Sequence, residues 1–266
     1  MRKYLTVFAI DWQNQFTYRL NFLLWRFRNV LRILMTYFLW NSIFSSRLTA
    51  FGYSREQMMA YVFLSLFISS LVLSSPSNDH MGGEISSGDL SNFLIKPINY
   101  LKYWFIRDIS SKLLNVLLSV VEIALLWFIF RPVVSLSLSP LSVLAGLLSL
   151  ILGSLLYYLF SKLAIFVTFW TPENTWGLMF LILVCLEMLS GMIFPLNILP
   201  SWAQTILQFT PFPYLVYYPI SIIMGTADPW HIAKITLQTL LWVSTSWVLV
   251  KIVWRRGLMQ YSAVGR

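Results

Sequence analysis

Six apolar runs, each close to the ~20 residues a helix needs to cross ~30 Å of hydrocarbon, decide what this chain can fold into. They cover about residues 22–44, 58–75, 106–130, 141–169, 176–194 and 232–254. Inside lipid, backbone polar groups must be satisfied within the segment itself, which makes each run a helix. Only 11% of the 266 residues are charged and 58% are hydrophobic, too little polar surface to cover a water-soluble globule. The expected fold is an all-α membrane protein with six transmembrane helices in one domain spanning residues 1–266. The 12 tryptophans suit a chain with two membrane interfaces to anchor.

An even number of spans puts both termini on one side, and the basic residues choose the side. With both ends cytoplasmic, fourteen Lys and Arg residues fall in inner segments. Four (Arg47, Arg55, Arg131 and Lys234) fall in outer ones, and Arg32 is ambiguous. A bacterial inner membrane is the expected location. The net charge of +9 thus reads as topology, since the basic residues sit at the ends of apolar runs rather than in the cluster a nucleic-acid surface would need. No signal peptide is expected, because residues 5–10 are followed at once by Asp11, Gln13, Asn14 and Gln15.

Three segments outside the spans carry organisation. In residues 2–19, Leu5, Phe8, Trp12, Phe16 and Leu20 recur at helical spacing against Arg2, Lys3, Asp11, Gln13, Asn14 and Arg19, the pattern of a helix lying in the headgroup plane or packed on the protein. Residues 76–102 form a long cytoplasmic loop. Residues 195–231 form an external connection holding Pro195, Pro200, Pro211, Pro213, Pro219 and Pro229. Between those prolines, 201–209 and 214–224 are apolar but too short to cross, and read as two short re-entrant helices.

Several chemistries have no residues to carry them. No Gly-Lys dipeptide occurs, so the usual phosphate-cradling loop is missing. His80 and His231 fall on opposite sides of the membrane, Cys185 is the one thiol, and no HExxH or GxSxG is present. No metal site and no catalytic residue are expected.

The 76–102 loop reads Gly83-Glu84-Ile85-Ser86-Ser87-Gly88-Asp89-Leu90, then Phe93-Leu94-Ile95-Lys96-Pro97. The external connection reads Ser190-Gly191-Met192-Ile193-Phe194-Pro195, then Leu199-Pro200-Ser201-Trp202, Pro211-Phe212 and Met224-Gly225. In this order and on opposite sides, they resemble the loop after the second span and the re-entrant stretch before the last span of ABC-2-type permeases. The similar branch is that of permeases consisting of a single membrane domain.

The resemblance implies that the cytoplasmic helix is a coupling helix seated in a groove of an ABC nucleotide-binding subunit. Glu84 and Asp89 would meet its basic groups, and Ile85, Leu90, Phe93 and Leu94 would form an apolar anchor. Gly82-Gly83 would turn into the helix and Pro97 would stop it. It also implies two such ATPase subunits, identical or paralogous, which bind ATP and Mg, and a second permease, identical or paralogous. This chain would bind no cofactor, and membrane lipids would surround it.

Two acidic residues, Glu122 and Glu187, lie inside spans, where an ionisable group is costly and points to function. Glu187 shares its span with Trp176, Met188 and Met192, a set that suits a lipophilic cation. The plainer alternative pairs each carboxyl with Lys112, Lys162 or a hydroxyl. Arg26, Arg28 and Arg32 are expected to reach anionic headgroups or the N-terminal helix. The expected function is ATP-driven export of hydrophobic or cationic small molecules. Export of a polysaccharide or lipid is the alternative, and a membrane-embedded lipid-modifying enzyme a more distant one.

Overall fold

The computed structural model describes residues 2–17, 19–75, 77–134 and 139–261. Its elements are almost all helices. Three are long and apolar enough to cross a membrane: α6 (Tyr100–Phe130), α7 (Pro140–Phe166, prolonged to Phe169 by a 3-10 turn) and α11 (Pro229–Gln260). At ~1.5 Å per residue, the 31 residues of α6 span ~46 Å, more than the hydrocarbon needs. Its first turns, capped by the Asn99 side chain on Lys102 N at 3.0 Å, therefore reach beyond the expected start at 106.

The other expected spans are also helical, with different limits. Residues 22–44 fall in α2 (Arg19–Ile43), and 58–75 in α3 (Arg55–Val72). α3 stops at Val72 because the Lys112 ammonium takes its last carbonyls, Leu71 O at 2.9 Å and Val72 O at 2.6 Å. The fifth run is shorter than expected: α8 (Thr175–Leu189) has 15 residues, ~22 Å, less than the hydrocarbon thickness. It breaks at Ser190-Gly191, where Gly191 adopts φ +83°. The freed carbonyls are taken up, Gly191 O by the Tyr61 hydroxyl and Ser190 O by Tyr217 N at 2.9 Å.

The expectation of helices alone is corrected by a small hairpin, β1 (Thr49–Ala50) with β2 (Tyr53–Ser54), between α2 and α3. Its turn places Phe51 at φ 55° and Gly52 at φ 81°, positive at both central positions as a two-residue hairpin of that hand requires. The Ser54 side chain then caps α3 in a reciprocal bond with Gln57.

The two segments expected as short helices are helical, over the limits α9 (Ser201–Gln208) and α10 (Tyr217–Ile223). α10 lies against α7 and α3, with Ile220 and Ile222 fully buried. α3 is the most enclosed helix, surrounded by α2, α6, α7 and α10, and anchors the larger core with Met58, Tyr61, Ile68 and Val72.

A second core lies at the opposite end of α3, around α4 (Ser77–Ser86) and α5 (Leu90–Leu94). The N-terminal helix α1 (Arg2–Thr17) packs along α6. Asp11, expected on its wet face, is buried and bonded to Arg107 Nε at 2.7 Å, because a carboxylate taken from water needs a cation beside it. Leu5 and Ile10 remain exposed on its outer side.

Candidate functional site

The 77–99 segment forms a compact unit beneath α3. Met81 and Ile85 of α4 and Leu90 of α5 recur on one side and are buried against Tyr100, Trp104, Phe166 and Phe169. The chain reverses between α4 and α5 at Gly88, φ +84°. Tyr261, just past α11, pins that reversal: its hydroxyl donates to Gly88 O at 2.6 Å and accepts from Ser91 N at 3.3 Å.

Several expectations for this loop change. Gly82 and Gly83 lie inside α4, so the turn is made at Gly88 instead. α5 ends at Leu94, three residues before Pro97. Ile85 and Leu90 face inward, since a ten-residue amphipathic helix laid on α6 and α7 must bury its apolar side. Glu84 also turns inward, where its carboxylate accepts from the Tyr100 hydroxyl at 2.5 Å and from Trp104 Nε1 at 3.1 Å.

Phe93 is half-buried against the Tyr100 and Tyr103 rings. The exposed remainder is Asp89, held by the Ser87 hydroxyl at 2.6 Å, followed by Leu94, Ile95, Lys96 and Pro97. Ile95, 83% exposed, is the residue the sequence reading quoted but did not single out. Separating the buried side (81, 85, 90) from its complement would have found it.

Burial pushes the Glu84 carboxyl above its ordinary value, and the bonds from Tyr100 and Trp104 offset this only in part. A carboxyl raised on folding contributes stability at acid pH that is lost as pH rises from about 4.5 through the raised value. Glu84→Gln keeps an acceptor for both donors and cannot ionise. Its melting temperature should therefore fall less than that of the wild type between about pH 4 and about pH 8.

The intramembrane charges divide into two groups. Glu122 of α6 is committed to Arg26 of α2 through two contacts of 2.7 Å, Nε to Oε1 and Nη2 to Oε2. Arg26 Nη1 also donates to Asn115 Oδ1 at 3.0 Å, and Asn115 Nδ2 to Ser74 Oγ at 2.8 Å. Arg26 thus ties α2 to α6 rather than reaching a headgroup or α1. Lys112 and Lys162 serve neither glutamate: Lys162 pairs with Asp108 at 3.6 Å.

Glu187 of α8 forms no ion pair within 4.0 Å among the described residues. Arg32 Nη1 reaches Met192 Sδ at 3.4 Å, beside a cavity of ≈ 20 Å³ lined by Thr36, Ser65 and Ser69. Arg32 and buried Met192 are therefore brought together, while Met188 is half exposed. The Trp176 side chain lies outside the described residues, as does Pro76. Sequence reading missed Arg32 as the partner of this site.

At the far end, a cavity of ≈ 170 Å³ opens between α9, α10 and the start of α11, lined by Asn197, Gln204, Gln208, Tyr217, Tyr218, His231, Lys234 and Gln238. Among the described residues no group of His, Cys, Asp and Glu could hold a metal ion.

No curated protein matches the chain. The model of the ABC-2 family transporter proteins matches residues 30–265, from the middle of α2 to the C-terminus. The chain belongs to the ABC-2 family, as a multi-pass membrane permease component of the kind that associates with an ABC ATP-binding subunit.

Proposed function

We propose that the chain is the permease half of an ATP-driven exporter in a bacterial inner membrane, crossing six times with both termini cytoplasmic. One observation carries the coupling part of this reading. α4 and α5 form a packed unit at one end of α3, and among the described residues of 77–99 the large apolar exposed side chains are Leu94 and Ile95. Anchored on its inner side and apolar at its tip, such a unit fits a groove on a partner and moves as one piece. The ATP-binding subunits, two copies or two paralogues, bind ATP and Mg. A second permease, identical or paralogous, completes the pathway.

For the cargo we favour hydrophobic or cationic small molecules. Glu122 is locked by Arg26, whereas Glu187 forms no ion pair among the described residues. A second reading, export of a polysaccharide or lipid, draws on the ≈ 170 Å³ cavity of amides and tyrosines at the opposite end.

The complex with its ATP-binding subunits, reconstituted in vesicles, tests both parts. ATP-dependent movement of lipophilic cations that drops in Glu187→Gln supports the first cargo. Unchanged transport across cationic, neutral and anionic compounds removes Glu187 from the pathway.

A further inference from the structure

One helix holds both sides of the joint between α3 and α4. Asp108 and Lys112 lie one turn apart on α6. The Asp108 carboxylate accepts from Ser77 N at 3.1 Å, Ser77 Oγ at 2.6 Å and Ser75 Oγ at 2.7 Å, a negative charge set on the first N–H group of α4. The Lys112 ammonium sits on the last carbonyls of α3, a positive charge at the negative end of that helix. From α7, Lys162 bonds Ser77 Oγ and lies 3.6 Å from Asp108 Oδ2, with its ammonium over the Tyr158 ring. Asp108, Ser77 and Lys162 are almost wholly buried, at 1%, 0% and 0% exposure.

Burying such charges costs free energy that their attraction only partly offsets, and an apolar trio of the same volume would stabilise as well or better. What the trio supplies is position. α4 is fastened to α6 and α7 by directed charge-assisted bonds, and the same carboxylate also holds Ser75 of the connection from α3.

We propose that Asp108 and Lys162, meeting at Ser77, are a transmission clamp that delivers displacement of α4 to α6 and α7 as one body. The proposal rests on the coupling reading above. When the ATP-binding subunit moves the α4–α5 unit, the clamp carries α6 and α7 with it. α11, packed along α7, follows.

The test uses the reconstituted complex in a Cys185→Ser background, with spin labels at Ser86 on α4 and at exposed Leu144 near the far end of α7. Spectra are recorded with and without ATP–Mg, so no transported compound is needed. In the otherwise unaltered chain, both labels respond to nucleotide. In Asp108→Asn and Lys162→Gln, the Ser86 response persists and the Leu144 response falls at least ~5-fold, the lower end of ordinary coupling between sites. A Leu144 response that survives in both variants overturns the clamp, and so does joint loss of both responses in an assembled complex. Should neither variant fold, Ser77→Ala, which removes the hydroxyl that bonds both Asp108 and Lys162, is read the same way. Failure of all three to fold makes the cluster a folding element and ends the proposal. If the chain carrying only the labels fails to bind the ATP-binding subunit, the coupling reading falls and takes the clamp with it. Binding with a full Leu144 response in the variants sinks the clamp alone.

Discussion

Arg26→Ala destabilises the folded chain by about 3–5 kcal/mol, the cost of leaving a buried carboxylate without its cation. The magnitude follows from the site. Both side chains of the pair are nearly enclosed, at 11% and 13% exposure, and Arg26 makes two contacts to Glu122 and a third bond to Asn115. In the membrane no water arrives to solvate the stranded Glu122, and Asn115 and Ser74 lose the donor that orders their chain of bonds. Glu122→Ala strands the guanidinium in the same way. The double substitution Arg26→Met with Glu122→Leu should recover most of the loss, because it removes both charges and fills the volume. Unfolding of the purified chain in detergent, read for the two single variants and the double, gives the cycle. Additive losses would mean that the two residues do not act as a pair.

The second large effect concerns the partner. Leu94→Asp with Ile95→Asp reduces affinity for the ATP-binding subunit by at least ~30-fold, equivalent to ~2 kcal/mol or more at an interface centre. Two carboxylates would have to be desolvated in a groove shaped for apolar side chains. At 47% and 83% exposure the two residues support little of this chain's own fold, so its melting temperature should stay close to that of the wild type. Leu90→Ala should behave in the opposite way. It opens a hole in the core under α5 and lowers stability by ~2–5 kcal/mol. Titration of each purified variant against the ATP-binding subunit separates the two behaviours.

Length and polarity made much of this architecture legible. The apolar runs locate α7, α11 and the two short helices between the prolines, but α11 extends from Pro229 to Gln260, past both ends of the expected 232–254, with Asp228 capping its start as Ser139 caps α7. What escaped was fixed by contacts between distant segments. α8 ends at Leu189 because Tyr61 and Tyr217 take the carbonyls beyond it, and nothing within the run from 176 to 194 announces that. Gly82-Gly83 resembles a turn, yet the buried faces of Met81 and Ile85 keep α4 continuous through it. The candidate site divides along the same line. Residue types raised both Glu122 and Glu187, with Glu187 ahead for the methionines and tryptophan of its span, and only the fold reveals that Arg26 neutralises Glu122. Periodicity also could not say that Asp11 turns toward Arg107, since a lone carboxylate on an amphipathic helix is equally at home in water.

The central claim is that the α4–α5 unit, and not the hairpin end of the chain, meets the ATP-binding subunit. A photocrosslinking side chain placed at Ile95, and separately at Leu48, 93% exposed beside the hairpin, tests it in intact membranes. The account predicts a covalent adduct with the ATP-binding subunit from Ile95 and none from Leu48. An adduct from Leu48, or none from Ile95 while the assembled complex is present, would contradict it.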